Sequence, residues 1–273
     1  MSFFNLNCYF CYPIKNCPQK RNLQKMKKSL LLTTLCLFLY IGECIPENVG
    51  NLSKDPIIIK YSGFIVQYNP VTKQPNWVDY TLTAEHVEMS NNTPKISRHF
   101  MQDPNLTLPQ ATPADYKDSG WVRGHMARRQ DMKWSEQAVK ESDYYTNICP
   151  QNDVLNNGVW HQIENLVRHV ATQYDSVHVI CGPIFTNNTN GYIGPSRIPV
   201  PDYFFKTLLI KDAKGYHAIA FLCPNSDKNL AMKDAACTVD RIESMAEIDV
   251  YSYLPDKTES FIESRFEISI WGL

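Results

Sequence analysis

One stretch of the chain, Trp121 to His169, gathers side chains suited to chemistry on a phosphate ester. It places His125 directly after Arg123 and Gly124, sets asparagines at 147 and 156 in turn-like surroundings, and ends in a helical run carrying Glu164 and Arg168. Neutral imidazole near pH 7 can take a proton from water, which is the task a hydrolase must perform. The Arg123 guanidinium is a permanent cation whose fork matches phosphate oxygens. Gly124 lets backbone approach a ligand closely. Asn156 offers an amide oxygen, a hard donor suited to Mg²⁺, an ion that keeps most of its waters. Glu164 lies two helical turns beyond Asn156 and could hold such waters, with Arg168 one turn further on the same face. Alone, Glu164 and Arg168 read as a solvent-facing ion pair of little worth, and a lone histidine is more often structural than catalytic. The combination is what points to phosphate.

These residues need a frame, and the flanking sequence supplies one. Pro56–Tyr61 and Phe64–Tyr68 are β-branched and aromatic runs split by Ser62-Gly63, a hairpin signal. Trp77–Leu82 alternates as a half-buried strand does. Residues 89–120, rich in Asn, Pro, Asp and Ser, read as a long surface loop that carries Arg98. From Gly158 to Tyr174 the pattern is helical, with Val159, Trp160, Ile163, Leu166, Val167, Val170 and Ala171 on one stripe. Ser176–Phe185 reads as a buried strand. Tyr203–Ile210 and Tyr216–Cys223 form a further strand pair, and Thr238–Ile248 a short helix with Thr238 as N-cap. Ser260 onward is a last short helix or the approach to a strand. Strands on both sides of a central helical block predict one mixed α/β (α+β) domain, largely antiparallel.

The chain of 273 residues carries a net charge of -1, so no global cationic field draws in polyanions. A high-affinity structural DNA binder is disfavoured; a nuclease holding its substrate locally is not. Met26-Lys27-Lys28 before the apolar run 30–41 reads as a secretory signal peptide with translation starting at Met26 and a cut near Cys44. This divides the chain into an extension and signal peptide over 1–44, a linker over 45–55 and a catalytic domain over 56–273. The expected location is secreted or periplasmic without stable membrane association, a lipid-modified Cys44 being the weaker option. Five of nine cysteines fall in the first 44 residues; Cys149, Cys181, Cys223 and Cys237 remain, and their pairing is open.

The central block resembles the DNA/RNA non-specific endonuclease family, the group of the Serratia nuclease and endonuclease G, with its ββα-metal (His-Me) finger. The family's Asp-Arg-Gly-His stands here as Val122-Arg123-Gly124-His125. Asn147-Ile148-Cys149-Pro150-Gln151 and Leu155-Asn156-Asn157-Gly158-Val159-Trp160 follow, then Glu164 and Arg168, with Arg98 upstream. The resemblance implies His125 as general base, Asn156 as direct ligand of one Mg²⁺ (Mn²⁺ as substitute), and Glu164 as holder of metal-bound water. It implies Arg98, Arg123 and Arg168 on the phosphates. Asn147 and Gln151 would tie the site together or touch substrate; Arg128, which departs from the family, adds charge beside Arg129 that either strengthens phosphate binding or forms a solvated face. DNA and RNA of any sequence would be substrates, since phosphate contacts read no bases. Oligomeric state, monomer or homodimer, is left open. Two departures stand out: Val122 replaces the motif Asp, and Arg128 replaces a common Pro. The first raises an alternative, a catalytically impaired protein of this fold that binds nucleic acid. Cys149 paired with His125 as a thiol hydrolase is the other rival.

Overall fold

The computed structural model describes residues 57–186 and 190–273, all within a unit spanning Ile45–Leu273. The signal-peptide and linker readings, with the five N-terminal cysteines, lie outside the described residues. Strands β1 (Ile57–Lys60), β2 (Ile65–Asn69) and β3 (Gln74–Thr83) form an antiparallel meander, opened by a turn in which the Tyr61 N–H donates to the Phe64 carbonyl. Helix α1 (Ala84–Asn92) follows, its N-terminus capped by the Thr83 side chain accepting from the His86 N–H. A loop interrupted by the single turn α2 (Pro113–Tyr116) leads to β4 (Val122–His125), α3 (Glu136–Ser142), β5 (Ile148–Gln151) and α4 (Asp153–Asn157).

Helix α5 (Val159–Gln173) then returns the chain to the sheet through β6 (Ser176–Ile184). Beyond the two-residue strands β7 (Tyr192–Ile193) and β8 (Ile198–Pro199) run the long partners β9 (Tyr203–Asp212) and β10 (Gly215–Pro224). The end of the chain adds α6 (Met232–Ala235), β11 (Ala236–Cys237), α7 (Val239–Ala246) and α8 (Asp256–Glu263). Thr238 caps α7 as expected, accepting from the Arg241 N–H. The main sheet has the order β1-β2-β3-β6-β9-β10-β11 with every neighbour antiparallel.

The sheet carries a core on each face. On one, the apolar stripe of α5 (Trp160, Ile163, Val167, Val170) buries against Val66, Val78, Leu82, Phe204 and Leu208. On the other, Ile242 of α7 and Ile262 of α8 pack with Ile180, Phe205, Leu209 and Ala220. Period-two burial along a shared strand supplies both sets, Phe204 to one face and Phe205 to the other. The fold is the mixed, largely antiparallel α/β arrangement read from the sequence. The loop expected over 89–120 is shortened by α1 and α2.

Candidate active site

Strands β4 and β5 pair as a separate two-stranded ribbon, with Val122 opposite Gln151 and His125 opposite Ile148. A Cβ on Gly124 would stand 2.2 Å from Gln151 Oε1, so the glycine makes room for a neighbouring side chain rather than for a ligand. Past His125 the chain is locked by Asn147. The Ala127 N–H donates to its Oδ1 at 2.8 Å, and its Nδ2 donates to the Ala127 and Ser142 carbonyls, both at 2.9 Å. Asn147 and Gln151 are 0% exposed, which corrects the expectation that they touch substrate. From beneath, the buried ammonium of Lys206 lies 4.4 Å from the Trp160 ring centroid and donates to the Met126 carbonyl at 3.4 Å.

His125 Nε2 lies 3.2 Å from Oδ1 of Asp143, a residue at the C-terminus of α3 that the motif reading did not single out. Asp143 is 2% exposed and also receives the Arg129 Nε–H at 3.0 Å and the His99 N–H at 3.1 Å. Burial pushes this carboxyl up, but the bonds from His125, His99 and Arg129 outweigh it and hold the group below the usual carboxylate range. An ionised carboxylate only accepts, so His125 donates through Nε2, and a neutral ring held this way carries its lone pair on Nδ1. Next to the imidazole, 5.3 Å between centroids, is Phe100. The guanidinium of Arg123 lies 5.3 Å from the same ring and that of Arg98 5.8 Å, so one aromatic gathers both cations beside the histidine. Arg123 is steadied by the Tyr145 hydroxyl at 3.2 Å and by the Tyr116 ring at 5.0 Å. A hollow of about 290 Å³ opens nearby, lined by Lys95, Ile96, Arg98, Arg129, Gln130 and Lys133.

The helical half of the block is arranged differently from the sequence reading. Asn156 and Glu164 do not share one helix: the chain breaks at Gly158 (φ -96, ψ -116), where a Cβ would stand 2.4 Å from the Val154 carbonyl oxygen. Nor do Glu164 and Arg168 pair with one another. Glu164, 8% exposed, receives Arg128 Nε at 3.1 Å, while Arg128 also reaches Asn165 at 3.0 Å. Arg168 donates to Asp131 at 3.0 Å and to Ser90 and Asn91. Asp131 is 0% exposed, and burial pushes its carboxyl up to about 6 against the pull of Arg128 and Arg168. With its guanidinium engaged by α1 and Asp131, Arg168 holds structure; this corrects its assignment to the phosphates. The Asn156 side chain, partly exposed on α4, makes no hydrogen bond among the described residues.

The four described cysteines are free and buried, with no disulfide among them. Burial raises the Cys149 thiol well above its ordinary range, and the residue faces Gly124 across the ribbon, so a thiolate nucleophile has no support there.

The sequence profile of the DNA/RNA non-specific endonuclease family matches residues 46–257. Similar proteins include the mitochondrial nuclease EXOG of Xenopus laevis, 32% identical over 61% of this chain and 50% of its own length. Mitochondrial endonuclease G of Bos taurus is 29% identical over 67% of this chain and 64% of its own. Mitochondrial nuclease 1 of Schizosaccharomyces pombe is 28% identical over 71% of this chain and 65% of its own. The chain thus spans half to just under two thirds of the length of these curated relatives. A crystal structure of an EndoG/EndoGI complex shares the fold with a TM-score of 0.64 at 23% identity, covering 78% of this chain and 95% of that one. The relatives are mitochondrial by name, which overturns the expectation of a secreted or periplasmic protein drawn from the N-terminal segment. Among the described residues no helix is long and apolar enough to cross a membrane. With the profile matching most of its length and the ribbon, helix and motif residues standing in family order, the chain belongs to the DNA/RNA non-specific endonuclease family.

Proposed function

We propose that the protein is a metal-dependent endonuclease that hydrolyses phosphodiester bonds in DNA and RNA without reading sequence. The observation that carries this is His125 held by Asp143 through Nε2, with Arg98 and Arg123 beside it around Phe100. Asp143 fixes the tautomer, so Nδ1 takes the proton of the attacking water. Arg98 and Arg123 hold the phosphate oxygens, and Lys95 and Lys133 extend the cationic surface to neighbouring phosphates. Contacts of this kind carry no base information.

Asn156 fits a hard divalent ion: its amide is unengaged, and Glu164 supplies a carboxylate for the ion's waters. Bound there, Mg²⁺ or Mn²⁺ would neutralise charge on the scissile phosphate and on the departing oxygen. Glu164 already meets Arg128 at 3.1 Å, so with a metal bound this carboxylate would be shared between the protein's own cation and the ion's waters. The rival reading, a binding protein disabled by Val122, is weakened by Asp143, which brings a carboxylate to the base from another element.

Purified protein with Mg²⁺ or Mn²⁺ should degrade plasmid and RNA alike, EDTA should stop it, and Asn156→Ala should reduce it strongly. His125→Ala should lower cleavage by about 10²–10⁴-fold with the fold intact. Full cleavage by that variant would sink the mechanism, and tight DNA binding with no cleavage at any metal concentration would favour the rival.

A further inference from the structure

On the face of the sheet away from His125, helices α7 and α8 turn carboxylates toward each other. Asp240 and Glu243 lie one turn apart on α7, and Glu263 ends α8; one ligand oxygen from each lies within 4.8 Å of the others. Asp249, in the connection between the helices, and Glu259, one turn before Glu263, add to the same field. None of the three makes an ion pair among the described residues.

Glu263 is the residue that demands an explanation. It is 5% exposed, and its Oε1 is buried without a hydrogen-bond partner among the described residues. A buried carboxylate left unpaired is costly, and two further acids beside it worsen the balance. Glu243 is differently placed: its Oε1 accepts the Val250 N–H at 2.8 Å, which fixes the carboxylate and leaves its other oxygen available. The donors name the class of ion. Three carboxylates brought together by two helices are hard oxygen ligands in an irregular arrangement, which Ca²⁺ with its flexible coordination accepts more readily than Mg²⁺, an ion that demands a near-ideal octahedron. All donors are carboxylates, and Asp240 is exposed, leaving room for water to complete the shell.

We propose that Asp240, Glu243 and Glu263 form a calcium-class cation site that clamps α7 to α8, separate from the metal position at Asn156. The site is a structural clamp: it acts on stability, and nuclease chemistry does not pass through it.

Thermal unfolding of the full chain at pH 8, after EDTA treatment and titration with CaCl₂, tests this. Calcium should raise Tm by about 5 °C or more at a hundredfold excess over its dissociation constant. The rise should persist in Asn156→Ala, vanish in Glu263→Gln and shrink in Asp240→Asn, whose exposed position protects folding should Glu263→Gln prove unstable. Calorimetry with CaCl₂ on the same variants should follow the same order. A calcium response that is absent, unchanged in both Glu263→Gln and Asp240→Asn, or lost in Asn156→Ala overturns the proposal. So does a carboxylate cluster that Glu263→Gln relieves at pH 8 while calcium does nothing, since the occupant would then be a proton.

Discussion

The two faces of the central sheet treat clustered acids in opposite ways. Around His125 each of three carboxylates has an arginine of its own: Asp143 with Arg129, Asp131 with Arg168, and Glu164 with Arg128. Between α7 and α8, Asp240, Glu243 and Glu263 meet further acids and one backbone N–H, and no cation pairs with them among the described residues. The first arrangement spends cations to keep charge ionised and in place inside a site; the second leaves charge for something outside the chain to answer. Proximity of acids is therefore no sign of a metal centre by itself, and the inventory of neighbouring cations is what separates the cases.

The largest effect should come from breaking a pair on the His125 face. Arg168→Ala leaves buried Asp131 without its ion-pair partner, held only by the Tyr80 hydroxyl at 3.4 Å and the field of Arg128, which costs about 3–5 kcal/mol and a fall in Tm on the order of 10 °C. Because the Asp131 carboxyl already stands at about 6, the deficit should shrink when unfolding is measured below that pH, where the group is neutral. A loss of activity with unchanged Tm would instead return Arg168 to the phosphates. Asp143→Asn comes next. It should lower kcat by about 10–100-fold with KM held, as removal of an orienting partner does, and Asp143→Glu should restore part of the rate. Equal losses in both variants, accompanied by a lower Tm, would reduce Asp143 to a packing role.

Arg128→Ala should act in two directions. Freed of its cation, Glu164 should hold the metal's waters better, so the Mg²⁺ concentration for half activity falls a few-fold. DNA binding should weaken and its salt dependence drop by about one ion. A rise in the Mg²⁺ requirement would contradict the sharing of Glu164.

The other face should answer to pH rather than to the loss of a partner. Burial first, then the neighbouring acids, raises Glu243 to about 7 and Glu263 to about 8 from an ordinary 4.5. The folded chain then binds protons that the unfolded chain releases, so stability in EDTA should decline as pH rises from about 4.5 toward 8. Unfolding scans across that range should show the decline in the parent and a flatter profile in Glu263→Gln.

Much of the frame was legible in the sequence, because α5 and the strands on either side of it carry strong periodicity. Helix α1 was not: Asn, Ser and Glu dominate it, and its clearest signal was the cap at Thr83. In the site, His125, Arg123 and Asn156 could be named from spacing, since family motifs are contiguous. Asp143, Arg129 and Phe100 could not. Their contacts join the end of α3, the turn after His125 and the loop before α2, which meet only when the chain folds. Glu164 and Arg168 were read as neighbours from helical spacing, yet each takes its partner from the segment after His125, a tertiary competition that spacing cannot register.

The β4–β5 ribbon changes what Val122 means. Gln151 stands directly across from it, so the two side chains share a face, and neither the Oε1 nor the Nε2 of that buried amide finds a partner among the described residues. An aspartate at 122 would stand on the same face and bring an acceptor to the ribbon that carries the unpartnered Nε2. The missing motif acid is thus first a gap in the scaffold, on the order of 1–3 kcal/mol of unsatisfied amide. Val122→Asp should therefore raise Tm in thermal unfolding, an effect on the scaffold that can be read apart from any change in the rate of cleavage.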